Sequence, residues 1–152
     1  VFTILKNVGA VPEVLYPYGT TEPQNEMLYQ ISQHNRIANF AKIASAEGLK
    51  RALSEIGPCY IVLPLYKSRP EFWRPMHNEQ TSAGHAVIVC GYNTNGFILK
   101  NSWGANWNGD GCIIFPYNEW SCHWECWVAI NKPVTTREYS VDSKRECNCI
   151  IC

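Results

Sequence analysis

Apolar residues along the first 60 positions repeat with helical spacing in two places. Val1, Ile4, Leu5 and Val8 fall at i, i+3, i+4 and i+7, and Gly9 supplies a stop. Leu49, Ala52, Leu53 and Ile56 form a second stripe, with Ser45 placed to cap its start and Gly57-Pro58 to end it. Between them, Pro12, Pro17, Pro23 and the Tyr16-Pro17-Tyr18-Gly19 turn mark residues 10–25 as loop, and Arg36–Ile43 is read as a short strand. Beyond Pro58 the period changes to that of strands, over Cys59–Tyr66, His85–Tyr92, Phe97–Asn101, Cys112–Phe115 and Trp127–Asn131. Asn95-Gly96 signals a hairpin between two of these runs. From Pro133 on, the chain is polar and aperiodic, and it is expected to be a tail. The pattern predicts an α+β architecture: one or two helices, then an antiparallel sheet that closes on itself.

Composition narrows the function classes. Hydrophobic residues make up 46% of the 152 positions and charged residues 17%, enough apolar surface for a packed core. Lys+Arg and Asp+Glu both number 13, so the electrostatic case for nucleic acid as a partner is removed. The eight cysteines do not read as a disulfide scaffold. Cys59, Cys90 and Cys112 sit inside apolar runs and are expected to be small buried thiols. Val1 stands first in place of Met, on a helical pattern with no N-cap, which points to a piece of a longer product.

Chemistry concentrates in Ala83-Gly84-His85-Ala86-Val87 and in Lys100-Asn101-Ser102-Trp103-Gly104-Ala105-Asn106-Trp107. His85 opens one strand and Asn101 closes the next, so antiparallel pairing returns Asn101 to His85. Imidazole titrates near neutrality and needs a partner that sets its tautomer and orientation. An Asn amide oxygen can accept from one ring nitrogen and leave the other for a nucleophile. Trp103 is placed to cover that bond.

These two segments resemble the His and Asn motifs of papain-like cysteine peptidases. Leu5-Lys6-Asn7-Val8-Gly9 followed by Tyr16-Pro17-Tyr18 is similar to the end of that family's left-domain helix and the loop after it. Glu47–Leu63 is similar to the element that enters the right-domain barrel. The resemblance implies a partial left helical domain with its crossover over 1–44, an antiparallel β-barrel-like right domain over 45–132, and a tail over 133–152. It implies His85 as catalytic base, Asn101 as its orienter and Trp103 as the shielding indole, in a peptidase that needs no metal or cofactor. The family's nucleophile lies in a Gln…Cys-Gly-x-Cys-Trp segment, and no such segment occurs here. Cys126-Trp127 fits a strand better. The expected partners are therefore a peptide or protein substrate and an N-terminal Cys-bearing segment or chain, without which this chain is inactive. The alternative is an inactive papain-fold binding or structural module.

The resemblance also puts Cys59, Ala83 and Gly84 beside the pocket for the side chain second from the scissile bond. Small residues there imply a roomy pocket, with Ser121 or Cys122 near its floor. Cys122, His123 and Cys126 offer metal-ligand atoms, but Trp120, Trp124 and Trp127 around them argue for core, and no metal is expected. His34, His77 and His123 are expected to be ordinary surface or packed residues. Cys149-Ile150-Ile151-Cys152 fits a prenylation box, with Lys144, Arg145 and Cys147 upstream, so a membrane is a partner only if that tail is lipidated.

Overall fold

The computed structural model describes residues 1–21, 25–66, 69–81 and 83–131. The tail and its cysteine box lie outside the described residues. In chain order the elements are α1 (Phe2–Asn7), α2 (Glu26–Gln33), β1 (Asn39–Lys42), α3 (Ala46–Glu55), β2 (Cys59–Pro64), β3 (Gly84–Tyr92), β4 (Gly96–Lys100), β5 (Cys112–Pro116) and β6 (Glu125–Ile130). Two 3-10 turns, Trp107–Gly109 and Tyr117–Cys122, flank β5. The strands are hydrogen-bonded in the order β1-β6-β2-β3-β4-β5, which has two ends. The expected closure is therefore not made by a β1–β5 ladder among the described residues.

Contacts divide the chain into two compact units, and the division cuts both β1 and β6. Among the described residues, one unit comprises 1–41 with 129–131. Here α1 ends where the first apolar stripe stops. Gly9 has φ +97, and a Cβ on it would lie 1.9 Å from the Ser32 carbonyl oxygen, so no side chain fits there. The Ser32 hydroxyl and the Gln33 amide both donate to the Val8 carbonyl, at 3.0 and 3.2 Å, tying α2 to the end of α1. Helix α2 was not expected. Asn25 caps it by accepting from Leu28 N at 3.0 Å, but Leu28 and Ser32 are its only buried residues, too short a stripe to show a period.

The other unit runs from Lys42 to Val128 and holds the main core. The Ser45 hydroxyl accepts from Gly48 N at 3.0 Å, as the sequence pattern predicts, and Leu49 and Ala52 of α3 are buried. Leu53 is only half-buried and Ile56 is exposed, so the helix buries a narrower stripe than expected. On the sheet, Cys59, Ile61 and Leu63 of β2 alternate inward with Val87 and Val89 of β3, Phe97 and Leu99 of β4, and Ile113 and Phe115 of β5. A bulge between Val89 and Gly91 shifts the β3–β4 register. The hairpin forms, but not on Asn95-Gly96 as the turn pair. Asn93 closes it, its side chain accepting from Asn95 N at 2.8 Å and Gly96 N at 3.2 Å. Gly96 instead opens β4, where a Cβ would meet the Phe115 carbonyl oxygen at 2.3 Å.

Candidate active site

The β2–β3 ladder sets Leu63 opposite His85 and Pro64 opposite Gly84, at the end of β3 nearer the long β2–β3 connection. Beyond β4, Asn101 N donates to Gly111 O at 2.9 Å, which turns the chain so that the Asn101 side chain is buried, at 6% exposure. His85 Nε2 lies 2.8 Å from Asn101 Oδ1, and the same oxygen accepts from Ser102 N at 2.8 Å. An oxygen held by a backbone N–H cannot be exchanged for the amide nitrogen without losing that bond. It must therefore meet a donor on His85, which places the ring proton on Nε2 and leaves Nδ1 free to accept. The hydrogen bond expected from the strand pairing is present.

Trp103 stacks on the imidazole, with centroids 4.7 Å apart and planes 19° apart, while remaining 45% exposed. Trp107 stands edge-on to Trp103 at 5.3 Å. A further ring was missed from sequence. Phe72, 1% exposed, meets His85 at 5.1 Å and 82° and Trp103 at 5.4 Å and 64°. The available signal was Phe72-Trp73 itself, an aromatic pair between Pro70 and Pro75 in an otherwise polar connection, which has to be buried against something.

The small residues expected around the specificity pocket are placed differently. Ala83 and Gly84 are exposed beside His85, but the space over Gly84 is filled. A Cβ there would lie 2.6 Å from the Trp124 ring and 3.1 Å from Val62 Cγ1. The Trp124 backbone N–H donates to Val62 O at 2.8 Å, and the residue is 51% exposed. The Trp124 indole therefore covers Gly84. Ser121 and Cys122 are exposed on the second 3-10 turn. Cys59 does not join the site. It pairs with Val89, four residues along β3 from His85, so it lies about 13 Å down the ladder at ~3.3 Å per residue.

Cys126 pairs with Ile61 and Cys112 with Lys100, while Cys122 lies beside Glu119 and Arg74. Cys59 and Cys126 are buried, whereas Cys90, at the bulge, and Cys112, on the last strand, are only half-buried, contrary to expectation. Desolvation raises the Cys59 thiol from 9.0 to about 11 and the Cys126 thiol to about 12. Among the described residues, no three His, Cys, Asp or Glu are grouped to hold a metal. His123 Nδ1 is engaged by Trp120 O, and Cys126 faces the core.

Two consequences can be measured. Iodoacetamide at pH 8 modifies exposed Cys122 well before Cys59 or Cys126, as read by peptide mass spectrometry, and prompt alkylation of Cys59 in the folded chain contradicts this. As pH rises, an unfolded chain releases the Cys59 and Cys126 protons near 9.0, before the folded one does at about 11 and about 12. Their contribution to stability is therefore full below pH 9 and is lost as pH climbs through that window. A urea midpoint that does not fall between pH 8 and pH 11 contradicts it.

Comparison with known proteins bears on the family and the fold. Residues 1–132 match the family described as papain family cysteine protease. Digestive cysteine proteinase 2 of Homarus americanus is 28% identical over 129 residues, covering 76% of this chain and 39% of the relative. Cathepsin K of Mus musculus is 25% identical over 127 residues, covering 76% and 38%. Xylellain, a cysteine protease from Xylella fastidiosa, superposes with a TM-score of 0.74 at 24% identity, covering 87% of this chain and 60% of that one. The chain spans about two fifths of the length of the two curated relatives.

Proposed function

Because the chain belongs to the papain family of cysteine proteases, we propose that it is the His- and Asn-bearing part of a cysteine peptidase whose nucleophile comes from a segment outside these residues. The observation that carries this reading is the 2.8 Å His85–Asn101 contact beneath a stacked Trp103. Nδ1 of His85 takes the proton of an incoming thiol, and the resulting imidazolium is held by Asn101. The thiolate attacks the peptide carbonyl, and the imidazolium returns its proton to the leaving amine. Water, deprotonated by the same nitrogen, then releases the acyl group. Trp103 keeps bulk water from competing for the Nε2 hydrogen bond.

The placement of Cys59 and Cys126 supports an external nucleophile. Cys59 and Cys126 are buried and held protonated at neutral pH, and ladder spacing keeps them from His85. Asn101 Nδ2 is buried and has no hydrogen-bond partner among the described residues. Such an orphaned donor costs about 1–3 kcal/mol, and an acceptor on the incoming segment would satisfy it. Peptide side chains beside the reacting bond would meet Ala83 and the Trp124 indole.

The reading is tested by expressing the chain alone and joined to the sequence encoded upstream of Val1. Alone, it leaves peptide amides intact. With a Gln…Cys-Trp segment in place it hydrolyses them, and an active-site-directed thiol reagent labels that cysteine. An upstream sequence lacking the cysteine, or a joined protein that neither turns over nor labels, makes this chain a papain-fold binding module instead.

A further inference from the structure

Far from His85 in sequence, Glu119 gathers two successive residues of the β2–β3 connection. One carboxylate oxygen accepts from Trp73 Nε1 at 2.6 Å, and the other lies 2.5 Å from Arg74 Nη2. Arg74 is further drawn to Glu71, at 3.9 Å. Trp73 is 1% exposed and stands edge-on to Phe115 at 5.2 Å. Just before it, the Phe72 carbonyl accepts from Tyr66 N at 2.6 Å, and its ring crosses His85 and Trp103. The imidazole thus has Trp103 stacked on it, Phe72 set across it and Asn101 on Nε2. A ring flip has to displace one of the two aromatic neighbours.

We infer that Glu119 is a positioning residue: by clamping Trp73 and Arg74 it presses Phe72 onto His85 and so restricts the imidazole to the orientation Asn101 requires. The inference rests on the catalytic role proposed for His85. Glu119 does not touch His85, so it acts wholly through Trp73 and Phe72. A carboxylate suits the position because it offers two acceptor oxygens to one neutral and one cationic donor on adjacent residues. Without the clamp, Tyr66 and Phe115 still hold parts of the connection, so folding persists while the pressure on the ring relaxes.

Nitrogen NMR of the labelled histidine rings in the 152-residue chain tests this directly. In the wild type, neutral His85 carries its proton on Nε2. Glu119→Ala lowers the ratio of Nε2–H to Nδ1–H tautomer roughly tenfold, the size expected for loss of about one hydrogen bond's worth of restraint. Glu119→Gln, which keeps an oxygen for Trp73, restores most of that ratio. Trp73→Phe keeps a packed ring, removes the indole N–H and shifts the ratio in the same direction, so the test does not rest on Glu119→Ala alone. The His34 signals stay unchanged throughout. A lowered thermal midpoint with the His85 ratio unmoved leaves Glu119 a structural residue only and overturns the inference. A wild type that does not favour Nε2–H instead defeats the His85–Asn101 reading itself, whatever Glu119 does.

Discussion

His85→Ala in the protein joined to its nucleophile lowers kcat/KM for peptide hydrolysis on the order of 10³- to 10⁴-fold, the range in which a positioned general acid–base contributes. The loss falls mainly on kcat, because the imidazole acts on the thiol and the leaving amine and contributes little to binding the peptide. A second readout separates lost chemistry from lost fold. The rate at which an alkylating reagent modifies the nucleophile follows thiolate concentration. Pairing with His85 keeps thiolate present well below the ordinary thiol range near 8.5, and the substitution moves that profile back up to it. Turnover within tenfold of the wild type, or an alkylation profile that does not move, excludes His85 as the base. The cavity left between Phe72 and Trp103 lies at a half-buried position, so near-UV circular dichroism should change little.

The largest effect on stability is expected at Trp73→Ala, about 3–5 kcal/mol, the usual cost of deleting a fully buried aromatic side chain. Three losses combine there. The indole gives up its burial and its edge contact with Phe115, Glu119 loses its 2.6 Å donor, and Phe72 loses the neighbour that backs it. On the scale for a chain of about 150 residues, the thermal midpoint falls by roughly 6–20 °C. Urea unfolding checks the result: the midpoint drops while the slope stays constant, which separates lost stability from a loosened native state. A fall under 1 kcal/mol would mean that the connection between β2 and β3 packs independently of the sheet.

Much of this was legible from local pattern. Ser45 caps α3 because its hydroxyl and the stripe beginning at Leu49 both act within one turn of helix. His85 and Asn101 meet because they lie on neighbouring antiparallel segments: Ile88 pairs with Lys100, so Asn101 comes within two residues of the level of His85, a diagonal that long side chains can bridge. The elements missed or misread have causes at longer range. Helix α2 buries too little to show a period, and its cap is read only once the helix is known. Cys59 and His85 belong to neighbouring strands, but only the register shows that they occupy different positions along the ladder. Gly84 looked like open space because a glycine carries no sign of the Trp124 indole that fills it from another strand's entry.

The sequence by itself determined the α+β class, the strand positions, the family resemblance and the His85–Asn101 pair. Each depends on residue type and on spacing within one hairpin, where chain connectivity does most of the placing. The tertiary structure decided what surrounds that pair. Phe72 across the imidazole, Trp124 over Gly84 and the Trp73–Glu119 bond, 46 residues apart, are products of packing between segments whose separation is set by the whole sheet. Side-chain contacts between distant segments leave no periodicity in either one, so only the folded chain reveals them.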